Sequence, residues 1–377
     1  MELSIIILTF KVPHYLNLCL GSVRESIEAI DAEVIVVNNA KDKATSQLVQ
    51  NEFPEFIYLQ NDSNLGFSAG NNVGVKRAKG SYICLLNPDT IVGKNTFKNL
   101  LAKAKSLTNL GALGPYLMNG TGHFLPESKR NIPTPQVVFS KLLGKNKSYY
   151  PEHIKTKDFS EVEILVGAFM LMRKDRYWQV GGLDETYFMY GEDIDLSYSF
   201  LKHNYKNYYL GSEKVIHFKG ESTVKNKVYV NRFYNAMLIF YNKHFNQSLL
   251  LSNLAKMMLI FIKLVAISRV NKHVVKRKLK IKNLVFVNCN KDIINAFSTH
   301  VKFESAKKHQ LKAAAAQQFK EKESLFILDA NQLSYQQIIN LIVENHDIGL
   351  YYRIRPKGAN YIIGSDSSYI QGEVLEF

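Results

Sequence analysis

Four acids, Asp184, Glu185, Glu192 and Asp193, fall within ten residues of the run Gly-Gly-Leu-Asp-Glu-Thr-Tyr-Phe-Met-Tyr-Gly-Glu-Asp-Ile-Asp-Leu (181–196), and Asp195 follows at once. Tyr187, Phe188, Met189 and Tyr190 stand among them, which a solvated loop has no need of. The pattern fits a carboxylate at the floor of a partly closed pocket, where it can take a proton from a reacting group. A further acid, Asp89, sits in Asn87-Pro88-Asp89-Thr90. The proline biases Asn87 to extended backbone and turns the chain. Asp89 can then project and hold a divalent cation between two phosphates, work for hard oxygen ligands; Asn-Pro-Asp is equally a common turn. His217 alone is more often structural. With Asp89 it could supply a nitrogen and an oxygen to Mg²⁺ or Mn²⁺, phosphates and water completing the shell. Residues 64–72, Asn-Leu-Gly-Phe-Ser-Ala-Gly-Asn-Asn, open a helical stretch. Gly66 and Gly70 permit close backbone approach and the helix start favours anions, an ordinary capped helix being the other reading.

These residues need a frame. Residues 3–10, 33–39, 56–59 and 82–86 are apolar runs of strand length, separated by helical spacing such as 15–30. Unbroken apolar strands alternating with helices predict an α/β fold with a mostly parallel sheet covered on both faces. Ligands of such sheets gather at the carboxyl ends of the strands, where Thr9, Asn38, Asn39 and Asn87–Asp89 stand. Residues 119–160 read as loops, 164–173 as a strand, 193–202 as a helix, and 208–211 and 215–218 as short β segments. From 228 to 268 the pattern is helical. The part 249–267 is nearly all apolar but holds Lys256 and Lys263, which makes it a poor spanning helix. It suits either a membrane interface or packing against the rest of the chain. After residue 282 a new alternation begins, with strands expected at 284–288, 325–329, 348–354, 361–364 and 373–377. Three regions follow: 1–245, a helical and basic linker 246–282, and a small α/β domain 283–377.

The 377 residues are 46% hydrophobic, with 22 Phe and 21 Tyr, ample for two or three cores. Three isolated cysteines argue against a disulfide framework or a zinc site and for a reducing compartment. The apolar N-terminus has no basic leader and reads as a buried strand rather than a signal peptide. The net charge is +15, and seven Lys or Arg residues with no acid lie between Arg269 and Lys282. That surplus attracts phosphorylated ligands, nucleic acid or anionic lipid. No recognition helix, stacking motif or metal finger supports nucleic acid, so none is expected as a partner.

Taken in order, residues 4–9, 34–39, 64–72, 85–90, 167–173, 181–196 and His217 resemble family 2 glycosyltransferases, most closely the bacterial rhamnosyltransferase-like branch, over about residues 1–245. The resemblance implies a GT-A (Rossmann-like) nucleotide-sugar transferase domain and an inverting reaction on a nucleotide-diphospho-sugar donor. It implies that Thr9 and Asn38 line the base pocket. Asn64, Gly70 and Asn72 would shape the nucleotide and donor-sugar region, and Asp89 and His217 would bind the metal, Mg²⁺ or Mn²⁺. Asp193 would be the general base, with Glu192 beside it. Three positions depart from the family pattern: Asn38 for Asp, Asn87 for the first Asp of Asp-X-Asp, and Ser199 for a basic residue. The change at 87 is usual in the rhamnosyl-type branch and leans toward a dTDP-rhamnose-like donor. A UDP-hexose or UDP-N-acetylhexosamine enzyme, or a non-catalytic sugar-nucleotide-binding protein, are the alternatives. The expected acceptor is a lipid-linked saccharide at the cytoplasmic face of a bacterial membrane, the basic segment meeting anionic lipid.

Overall fold

A computed structural model describes residues 1–142, 146–220, 227–245, 257, 259–260, 262–264, 267, 281–300, 307–319, 321–346, 349–367 and 372–377. The first part contains β1 (Leu3–Thr9), α1 (Pro13–Ile27), β2 (Ala32–Asn38), α2 (Lys43–Glu52), β3 (Ile57–Gln60), α3 (Gly66–Arg77), β4 (Tyr82–Leu86), β5 (Thr90–Ile91) and α4 (Thr96–Lys105). Then come β6 (Leu110–Met118), α5 (Pro135–Leu142), β7 (Phe159–Val162), β8 (Phe169–Arg173), α6 (Lys174–Gln179), α7 (Glu192–Lys202), β9 (Lys206–His217) and α8 (Lys227–His244). The last part contains β10 (Asn283–Val287), α9 (Lys291–His300), β11 (Lys307–Leu311), α10 (Ala313–Ala316), β12 (Ser324–Asp329), α11 (Tyr335–Glu344), β13 (Tyr351–Arg355), β14 (Tyr361–Gly364) and β15 (Glu373–Glu376).

The larger sheet runs β3-β2-β1-β4-β8-β6-β9-β5, with β7 on β9. Its first four strands are parallel, and β8 enters antiparallel between β4 and β6. Strand β1 shows why an unbroken apolar run is required. Ile5 and Ile7 point into one core with Leu16 and Leu20 of α1, while Ile6 points into the other with Val37 and Val75. Each such side chain removed from water contributes roughly 1.5–3 kcal/mol.

One strand has no counterpart in the sequence reading, and several expectations are corrected. Strand β6 has no clean pattern because Gly111, Gly114 and Pro115 interrupt it, yet it pairs parallel with β9 through two register shifts. The two short segments at 208–211 and 215–218 are one strand, β9, paired with β6, β7 and β5. The strand expected over 164–173 begins only at Phe169, because residues 166–168 leave the sheet to line a cavity. Residues 119–160 are not simply loops: they hold α5 and the start of β7, and they bury Lys129 and Arg130.

The smaller sheet runs β11-β10-β12-β13-β14-β15, parallel through β13 and antiparallel beyond. Strand β11, Lys-Lys-His-Gln-Leu, escapes a hydrophobicity reading because it is a polar edge strand. The boundary at 283 marks a new sheet with two cores. Leu284, Phe286, Ile293, Leu325 and Ile327 form one of its own on one face, while a second cluster joins Ile91, Ile216 and Phe218 to Val285, Phe326, Ile338 and Ile342. Most of the linker, including the basic positions 269–280, lies outside the described residues. Among the described residues no helix is long and apolar enough to cross a membrane.

Candidate active site

A cavity of about 330 Å³ opens at the carboxyl ends of β1 and β4. Thr9, Asn64, Asp89, Glu192, Asp193 and His217 all line it, so the fold gathers six of the nine expected site residues around one space.

The acidic run is aimed by its backbone. Tyr190 (φ 72°) and Gly191 (φ 81°) are both left-handed and reverse the chain, so that Glu192 and Asp193 open α7 at the cavity. Carboxylates in a first helical turn are stabilised by the helix dipole. Asp193 Oδ2 accepts from Arg130 Nη2 (2.7 Å) and from the Gly167 amide (3.0 Å). Its Oδ1 accepts from the Ile194 amide (2.8 Å). Arg130 is placed by an antiparallel bridge to Ile164, and its guanidinium also donates to the Leu165 carbonyl. Burial opposes the Arg130 charge, but Asp193 and Tyr149 outweigh it and hold the guanidinium protonated. Glu192 behaves oppositely. Burial, and then the neighbouring charge of Asp193, push its carboxyl up to about 8. The adjacent acids thus differ: Glu192 keeps its proton near neutral pH, while Asp193 is held in place by three donors.

Helix α8 forms the wall above them through Tyr229, Phe233 and Met237. Its last turn is tied to α7, because buried Asp195 accepts from His244 Nε2 (2.7 Å) and Lys243 Nζ (2.9 Å).

At the other end, Asp89 and His217 meet where β5 pairs with the end of β9. Thr90 lies opposite His217, and the Phe218 amide donates to the Asp89 carbonyl (3.0 Å). Asp89 Oδ1 and His217 Nε2 are 3.4 Å apart, and Asn87 Nδ2 is 3.4 Å from the same nitrogen. Among the described residues no three His, Cys, Asp or Glu side chains cluster to enclose a metal. The pair offers one oxygen and one nitrogen facing a common space, which fits a cation completed by diphosphate oxygens and water. Beside it Lys219 pairs with Glu127. Burial alone would raise the Glu127 carboxyl, but Lys219 and His217 together hold it below the usual glutamate range.

Three expected residues stand outside the cavity. The Asn38 side chain is occupied by Asp42, Tyr58, Gln60 and the Ala40 amide, and Asn39 lines the space instead. Gly70 is a packing position, where a Cβ would lie 2.5 Å from Leu8 and 2.9 Å from the Asn39 amide nitrogen. Asn72 is spent on the acidic run's own loop: it donates to the Leu183 carbonyl and Glu185, both at 2.8 Å, and accepts from Tyr177. Sequence reasoning missed Arg130 and Glu127, and named Asn39 only as a residue at a strand end. Arg130 carried no signal, because nothing in residues 119–160 betrays a partner 63 positions away.

Residues 4–181 match the model of Glycosyl transferase family 2. This chain is family 2 glycosyltransferase-like. The family 2-like chain has relatives named as rhamnosyltransferases. An N-acetylglucosaminyl-diphospho-decaprenol L-rhamnosyltransferase of Mycobacterium tuberculosis (strain ATCC 25618 / H37Rv) is 25% identical over 241 residues, 59% of this chain and 77% of that protein. Rhamnosyltransferase WbbL of Escherichia coli (strain K12) is 26% identical over 203 residues, 52% of this chain and 76% of its own length. A solved mannosyltransferase, PcManGT from Pyrobaculum calidifontis in complex with GDP-Man and Mn²⁺, superposes at TM-score 0.47 and 14% identity over 71% of this chain and 72% of that one.

Proposed function

We propose that this protein transfers a sugar, with inversion, from a nucleotide-diphospho-sugar to a hydroxyl of a lipid-linked saccharide in cell-surface glycan synthesis. The observation that carries the reading is one cavity with a fixed carboxylate in one wall and a cation-type pair, Asp89 and His217, in another. Asp193 accepts the acceptor's proton as the new bond forms at the anomeric carbon, using lone-pair capacity that Oδ1 retains beside its single amide bond. Arg130 and the Gly167 amide fix its direction, so little reorganisation is needed at the moment of reaction. Glu192, protonated, adds no second charge to repel the first. Asp89 and His217 would hold Mg²⁺ or Mn²⁺, which neutralises charge on the departing diphosphate. Thr9, Asn39 and Asn64 line the part of the cavity left for the nucleoside. The rhamnosyltransferase names of the relatives and Asn87 in place of an acid support dTDP-rhamnose as donor.

The test is donor binding and turnover across dTDP-, UDP- and GDP-sugars with Mg²⁺ or Mn²⁺, run beside Asp193→Asn. Preference for one donor, with binding kept and turnover lowered at least ~100-fold in the variant, is the expected result. No binding to any donor would sink the reading.

A further inference from the structure

The sheet end that carries Asp89 and His217 is covered on one face by the C-terminal part of the chain. Successive strand residues face opposite ways, and here the alternation sorts them into two cores. Val92, Leu117 and Val215 enter the main core. Their neighbours Ile91, Met118 and Ile216 enter the other, with Phe218, Ile339 and Ile342, the last two from α11. Ile91, Met118, Ile216 and Ile342 have no exposure at all, and Phe218 is only 2% exposed.

The approach is close along the whole seam. A Cβ at Gly120 would lie 2.5 Å from the Ser365 carbonyl, and one at Gly122 2.8 Å from the Ile342 carbonyl and 3.1 Å from its side chain. A Cβ on Gly21 would strike the Tyr335 hydroxyl and one on Gly93 the Gln336 amide. Asn17 of α1 donates to the Tyr361 hydroxyl (3.0 Å). No flexible tether could keep four glycines in such register.

Phe218 is the link between this seam and the site. Its ring packs on Tyr15 with centroids 5.1 Å apart, and its amide fixes the Asp89 carbonyl at 3.0 Å. It follows His217 directly. Asp89 and His217, 3.4 Å apart, are thus joined through the Phe218 amide, and α11 packs on β9, the strand that carries Ile216 and ends at His217. Strand β5 has two residues and lies at the sheet edge, so it has little pairing of its own to hold Asp89. By contrast, the carboxyl ends of the smaller sheet, the usual ligand position in such topologies, are filled by their own side chains. Asn331 bonds Asp329 (2.8 Å), Asn288 bonds the Ala313 amide (2.9 Å) and Arg355 faces Asp329.

We propose that residues 283–377 are the positioning element of the diphosphate end of the site, with Ile342 on α11 setting the spacing of Asp89 and His217 through Ile216 and Phe218. The proposal rests on the reading that this pair holds the cation. Isothermal titration of the full chain with UDP and dTDP, each with and without Mn²⁺, tests it. In the unmodified protein Mn²⁺ should tighten binding of the preferred nucleotide, and Asp89→Ala should remove that gain. In Ile342→Ala the gain should shrink at least fivefold while affinity without metal stays within twofold; Ile342→Val should show an intermediate gain and serves alone if the alanine variant does not fold. A full gain in both Ile342 variants, or an equal loss with and without metal, overturns the positioning role while leaving the site reading intact. Absence of any Mn²⁺ gain in the unmodified protein, or a gain that survives Asp89→Ala, removes the site reading and the proposal with it.

Discussion

Asp193 was visible in the sequence because acids rarely sit among aromatics, but its partner was not. Arg130 reaches it from a segment with neither helical nor alternating spacing, and only the bridge to Ile164 brings it there. Removing one member of a buried ion pair strands the other charge, which typically costs about 3–5 kcal/mol. Arg130→Met should therefore lower stability by roughly 3 kcal/mol, and Asp193→Asn added to it should return much of that. Urea unfolding of the four proteins gives the coupling; additive losses would mean that the pair is not linked energetically. Glu192 yields a pH prediction. Folded, it keeps its proton up to about 8, against 4.5 when unperturbed, so between those values folding takes up a proton. Stability from this group is fully present at the acid end and is lost as pH rises toward 8. Glu192→Gln removes the linkage. It should be at least ~1 kcal/mol more stable than the parent at pH 8.5 and gain nothing at pH 5, measured by thermal unfolding at both.

At the scale of elements, the parallel strands and α7 could be read because their apolar runs are continuous and their ends carry turn residues. Strands β6 and β11 could not: one is interrupted by glycine and proline, the other is polar. The glycines of the Asn-Leu-Gly-Phe block permit close approach, and the structure uses it at both: Gly70 packs against Leu8, and Gly66 sits at the start of α3. Gly66 has φ +82°, and a Cβ there would collide with the Phe188 carbonyl, which the Phe67 amide bonds at 2.7 Å. The start of α3 is thus clamped to the acidic run. Gly66→Ala adds ~1–2 kcal/mol of left-handed strain to that collision. Urea unfolding should show a loss of roughly 2 kcal/mol or more, with weakened donor binding. A stable variant with unchanged binding would show that the clamp is dispensable.

For the whole molecule, composition and alternation were enough to expect two α/β parts but not their joint core, since the apolar residues of a seam look like those of any interior. The basic positions 269–280 fall between the two sheets in sequence. Flotation with liposomes containing anionic lipid should drop sharply when Lys276, Arg277, Lys278 and Lys280 become Glu, and should be weak on neutral liposomes in either case. Equal flotation of parent and variant would remove the membrane role of that segment.

The shared core also has a consequence for how the chain is made. Synthesis proceeds at about 5–20 residues per second, and 124 residues separate Phe218 from Ile342. For roughly 6–25 seconds, Ile91, Met118, Ile216 and Phe218 have emerged while the helix that covers them has not. The nascent transferase half must wait, with an apolar sheet face open to water, for a helix encoded more than a hundred residues further on.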